Sequence, residues 1–183
     1  MRLFGRPREL PAAHAAYAAL VAQARSPVFF ARHGVPDTLD GRFEMIALHA
    51  FLVLHRLRAL PEAQRFGQAL YDVMFADMDR ALREMGTGDL SVGKQVKLMA
   101  TALAGRIAAY QAGLAGEADL AEALRRNLYG TVAEPAQQDL DILAAYVRRQ
   151  AAALAARPVE EVAAGILNFA PLPLDSAAAP PEV

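Results

Sequence analysis

Apolar positions recur along most of the chain at intervals of three and four residues, the period of an α-helix. Between residues 40 and 60, Phe43, Ile46, Ala47, Ala50, Val53, Leu54 and Leu57 keep that spacing, while Met45, Leu48, Phe51 and Leu52 fill the remaining sides. A helix that is apolar nearly all round is buried on several sides, so this one is expected at the centre. Thr38 or Asp40 can cap its first turn, and Pro61 closes it. Before it, residues 9–25 read as an alanine-rich helix ended by Pro27, with Val28, Phe29 and Phe30 as an apolar plug. After it, Phe66, Leu70, Val73, Met74, Met78, Ala81, Leu82 and Met85 mark a third helix opened by Pro61. Val92, Val96, Met99, Leu103, Ile107 and Tyr110 mark a fourth, running to about Leu114. Between these two, Gly86 and Gly88 flank Thr87, and glycine suits a left-handed helix terminus. Residues 119–129 and 136–156 predict two more helices, and Pro158 opens a short last one ending near Phe169. No stretch alternates with period two. The expected fold is all-α: an irregular single-domain bundle of about six to eight helices over residues 9–170. A basic segment precedes it at 1–8, and a disordered Pro/Ala tail follows at 171–183.

Composition agrees with this and narrows the chemistry. Across 183 residues the apolar share is 55% and charged residues make up 21%, values of a globular chain. With no cysteine, disulfides, zinc-thiolate sites and thiol nucleophiles are excluded. Net charge is -1 but uneven: residues 1–36 hold five arginines against Glu9, whereas from Glu134 onward seven carboxylates face three arginines. That split argues against nucleic-acid binding, which wants a continuous basic face. The basic start, with Leu3 and Phe4, suits contact with an anionic membrane surface; the alternative is a solvated tail. The densest apolar run, 45–54, is about half the roughly 20 residues a membrane span needs. The arginine-rich start followed by alanines lacks the leucine-rich centre of a secretory signal.

Candidate chemistry is sparse, and no catalytic set emerges. Gly88 to Gln95 nearly spells a phosphate-binding loop, but Gln95 stands where the magnesium-ligating hydroxyl belongs, and a helix precedes it instead of a strand. His14, His33, His49 and His55 show no metal-ligand spacing. His49, inside the apolar run, is read as a hydrogen-bonded core histidine, with a haem or small-ligand site as the alternative. On the third helix Asp72 and Asp79 project from nearly one line beside Phe75, opposite the apolar stripe, which reads as an exposed protein-binding patch. Asp77 falls inside the stripe and is expected to pair with an arginine. On the fourth helix Lys94 and Lys97, the chain's two lysines, share a side with Thr101, Ala104, Gly105 and Ala108. Small residues there would let another helix approach closely. These faces suggest a docking surface, with a solvated face as the alternative.

Three strings carry a family resemblance: DTLDGRFEMIALHAFLVLHRLR (37–58), LYDVMFADMDRALREMGTGDLSVGKQVKLMA (70–100) and GRIAAY (105–110). They resemble the ubiquinol–cytochrome c chaperone family, which includes the mitochondrial cytochrome b assembly factors and their α-proteobacterial relatives. The likeness runs from about Phe29 to Tyr129. It implies an all-helical, non-catalytic chaperone without a cofactor, which binds newly made cytochrome b and assists biogenesis of the cytochrome bc complex (respiratory complex III). It further implies a cytoplasmic protein, peripheral on the inner membrane, and of bacterial type since no mitochondrial presequence is evident. The motif positions it singles out are Asp37, Asp40, Gly41, Arg42, Phe43 and Glu44, then Asp77, Met78, Gly88, Asp89, Ser91 and Gly93, together with Asp72, Phe75, Asp79, Lys94 and Lys97. Gly86, Gly88, Asp89 and Ser91 are assigned to the turn. Asp72, Phe75, Asp79, Lys94 and Lys97 are the expected client contacts.

Overall fold

A computed structural model describes residues 9–58 and 60–170. The expected basic segment 1–8 and tail 171–183 lie outside the described residues. Within them the order is α1 (Leu10–Ala24), α2 (Pro27–Ala31), α3 (Leu39–Leu57), a 3-10 turn (Pro61–Ala63), α4 (Gln64–Glu84), α5 (Asp89–Ala115), α6 (Leu120–Leu128), α7 (Gln137–Ala155) and α8 (Val159–Ala163). No strand occurs among the described residues, and the all-α bundle expected from the periodicity is the fold.

The centre is α3, which packs against α1, α4, α5, α6 and α7. Its start is fixed locally: the Thr38 hydroxyl accepts a hydrogen bond from the Gly41 amide at 3.1 Å, satisfying one of the free first-turn donors. Nearby, Gly41 lies so close to Pro36 that a Cβ would collide with the Pro36 carbonyl oxygen. Alanine positions of α1 (Ala13, Ala16 and Ala24) are fully buried and let that helix lie close on α3 and α4.

Two boundaries differ from expectation. Pro27 does not merely end the first helix; it occupies the first turn of α2, where a proline lacks nothing the helix needs. Phe29 of the apolar plug is thereby turned inward and fully buried. The last helix stops at Ala163 instead of reaching Phe169. Gly165 (φ +85°) and Asn168 (φ +38°) take left-handed backbone that no α-helix continues through, and a Cβ at Gly165 would press on the Ala12 carbonyl of α1.

His49 is a core residue. Its ring is fully buried, with Nδ1 2.8 Å from the Met45 carbonyl oxygen and Nε2 2.8 Å from the Tyr146 hydroxyl. A carbonyl can only accept, so Nδ1 donates to Met45 and Nε2 accepts from Tyr146, whose oxygen in turn receives the Gln23 amide at 3.0 Å. Phe29 and Phe169 pack edge-on to the ring. Burial pulls its pKa down to about 4, so the ring is neutral at physiological pH.

Candidate functional site

The helices α4 and α5 lie on either side of residues 85–88 and pack against each other. Gly86 has φ +84°, the left-handed helix terminus that the sequence suggested. Arg83 then joins the two helices by pairing with both Asp79 and Asp89. Gly88 is the N-cap of α5 with ordinary negative φ, so the near-phosphate loop is a helix start and Gly93 lies within the helix.

On one side of this hairpin, α4 and α5 diverge from the start of α3 and the end of α6, leaving an open groove of about 680 Å³. Its α3 wall is Leu39 to Glu44, and its α4 wall is built from Asp77, Met78, Ala81, Leu82 and Met85. Gln95, Leu98, Met99, Ala102 and Arg106 come from α5, and Arg126, Asn127, Leu128, Gly130 and Thr131 add a further wall. Seven of the motif positions therefore converge here from two separate blocks: Asp40, Gly41, Arg42, Phe43 and Glu44 with Asp77 and Met78.

Charge in the groove is mostly paired. Glu44 and Arg106 form a bidentate ion pair with side chains only 9% and 19% exposed. Burial raises the Glu44 pKa, and the Arg106 guanidinium opposes that rise. Behind them the fully buried Tyr110 hydroxyl has no hydrogen-bond partner among the described residues. Burial and the Glu44 carboxylate both push its pKa up, which keeps it a neutral phenol. Arg42 is held by Asp37 at 2.7 Å. Asp77 pairs with Arg80, as expected of a carboxylate in the apolar stripe, and also accepts the Tyr17 hydroxyl of α1 at 2.8 Å.

The residues expected to touch a client are placed elsewhere. Phe75 is not an exposed aromatic: it is buried, packed against Tyr71 with ring centroids 4.5 Å apart. The reason is that α4 packs on both α1 and α5, so more than one side of the helix is covered. Asp72 is exposed and held by Gln68, while Asp79 is tied to Arg83. Lys94 and Lys97 are exposed, on a part of α5 that does not line the groove. None of the five lies in it.

Sequence reasoning missed the groove itself. The apolar stripe of α4 includes Met85, yet that side chain is 52% exposed, and Leu39 and Leu98, each 60% exposed, belong to no predicted face. The available signal was Leu98: a leucine lying outside the apolar stripe of its helix and beside a lysine.

Among the described residues no group of three or more His, Asp or Glu side chains is placed to hold a metal. Protein CBP3, mitochondrial, of Saccharomyces cerevisiae is 30% identical over 142 residues, covering 75% of this chain and 42% of that protein. Ubiquinol-cytochrome c reductase complex assembly factor 1 of Mus musculus is 29% identical over 124 residues, covering 67% and 42%. The chain thus spans less than half the length of these two relatives. A crystal structure of the Cbp3 homolog from Brucella abortus superposes with a TM-score of 0.79 at 36% identity, covering 88% of this chain and 90% of that one. The sequence profile described as Ubiquinol-cytochrome C chaperone matches residues 31–169, and the chain belongs to that family.

Proposed function

We propose that this protein is a non-catalytic assembly chaperone of respiratory complex III, and that its client is newly made cytochrome b. The observation that carries the reading is the convergence of two family-motif blocks on one open, largely apolar groove, in a chain whose family match extends from residue 31 to 169. The name of the mouse relative specifies complex assembly, which supports the same role here. A nascent membrane subunit exposes apolar helix surface that needs cover until its partners arrive, and the groove offers apolar cover. The proposed attachment at the inner membrane is peripheral; among the described residues no helix is long and apolar enough to cross a membrane.

The haem-binding alternative built on His49 loses its support. Both ring nitrogens are engaged inside the core, so iron ligation would require dismantling the Met45 and Tyr146 hydrogen bonds.

The reading is tested by pulse-labelling the source organism and recovering the tagged chaperone. Labelled cytochrome b should co-purify early and chase away as complex III matures. Recovery of the chaperone free of cytochrome b at every time point would refute it.

A further inference from the structure

Among the described residues the large apolar side chains left exposed are Leu39, Met85, Leu98 and Ile166, and three of these four meet in the groove. An exposed apolar patch with a charged rim marks a partner site. The chain topology gives this one a direction. Met85 follows the end of α4, beside the α4–α5 turn, and Leu98 and Arg106 line the groove from α5 eight residues apart, about 12 Å at 1.5 Å per residue. The backbone of Gly113 meets Leu120, so α6 runs back along α5 and brings Arg126 level with Arg106.

The groove lining as a whole carries a small excess of positive charge. Arg106 is matched by Glu44 and Arg42 by Asp37, whereas Arg25 and Arg126 line the groove with no ion-pair partner among the described residues. Asp40 is the one lining carboxylate likewise unpaired there, which leaves an excess of one positive charge.

An apolar floor two helical turns long, ending in an unmatched arginine, has the shape of a helix-in-groove site. Met78, Met85 and Met99 on its walls can repack around differing side chains. We infer that the groove receives one apolar helix of the client, and that a carboxylate about two turns from that helix's apolar anchor is taken by Arg126. This deepens the assembly-chaperone reading and rests on it for the client.

The test places a photo-crosslinking benzoylphenylalanine at Leu98 in the full chain, in its own cells, with the same probe at Lys97 as a control away from the groove. The Leu98 probe should give an adduct to an apolar helical segment bearing Asp or Glu within two turns, and the Lys97 probe none. Arg126→Glu should cut the adduct roughly tenfold, and Arg126→Lys should retain it. Equal adducts from both positions, no adduct from Leu98, a segment without a carboxylate, indifference to Arg126→Glu, or an adduct to a second copy of this chain would each overturn the inference. Cytochrome b captured through Lys97 alone would overturn the groove and leave the client standing. A carboxylate-bearing helix from a protein outside complex III would leave the groove standing and overturn the client.

Discussion

Replacing Arg106 by methionine keeps much of its aliphatic bulk but removes the guanidinium that faces Glu44. The carboxylate would then sit with a side chain 9% exposed and no compensating charge. Breaking a fully buried pair from one side costs about 3–5 kcal/mol, and the partial exposure of Arg106, 19%, lets water soften this to about 3 kcal/mol. For a chain of this size that corresponds to a fall in melting temperature of roughly 6–12 °C. The pH dependence has a definite sign. Burial already holds the folded Glu44 pKa above its unfolded value, and loss of Arg106 removes the influence that lowers it. A carboxyl whose folded pKa is raised contributes stability that is present below the unfolded pKa and lost as pH rises through the folded one. The deficit of Arg106→Met relative to the native protein should therefore shrink as pH is lowered from neutral toward the carboxylate range. Adding Glu44→Leu should restore stability to within about 1 kcal/mol of native, since replacing both partners of a buried pair is close to neutral. Thermal melts followed by circular dichroism, for native, single and double variants across pH, measure all of this. A single variant that melts with the native protein, or a deficit that grows on acidification, would refute the reasoning.

Three further outcomes follow from particular residues. The His49 pKa is depressed from 6.5 to about 4, so its contribution is complete above 6.5 and is lost as pH falls through 4. This group alone should remove about 3 kcal/mol over that interval, and urea unfolding of His49→Leu should show a correspondingly flatter pH profile. Two motif glycines should respond with opposite sign: Gly41→Ala meets the Pro36 carbonyl and should cost about 2 kcal/mol or more, whereas Gly93→Ala points into open space within α5 and should stabilise by about 0.5–1 kcal/mol. Phe75→Ala should cost about 3 kcal/mol in denaturant unfolding because the ring is buried against Tyr71; an unchanged midpoint would mean that it faces solvent.

What could be read from the sequence was whatever a single helix decides for itself. A cap at Thr38 or Asp40, a glycine terminus at Gly86 or Gly88 and the all-round apolar α3 are local facts; the structure takes Thr38 and Gly86 and buries α3. The burial of Phe75 is not local: the α4 stripe shows one packed side, whereas α4 packs on both α1 and α5. The same limit hid the groove. Leu39 precedes Met85 by 46 residues and Leu98 follows it by 13, and only the packing of α3, α4 and α5 makes them neighbours. Glu44 and Arg106, 62 residues apart, illustrate it again: the motif marked Glu44 without showing what it faces.

The central claim, that this groove serves complex III assembly, is tested most directly by the level of assembled complex III in a strain lacking the gene and complemented with variants. The deletion should lower the complex; the native gene and Lys97→Glu should restore it. Leu98→Glu, a change at an exposed groove position that should leave the melting temperature within a few degrees of native, should fail to restore it. Normal complex III in the deletion strain, or full rescue by Leu98→Glu, would contradict the account.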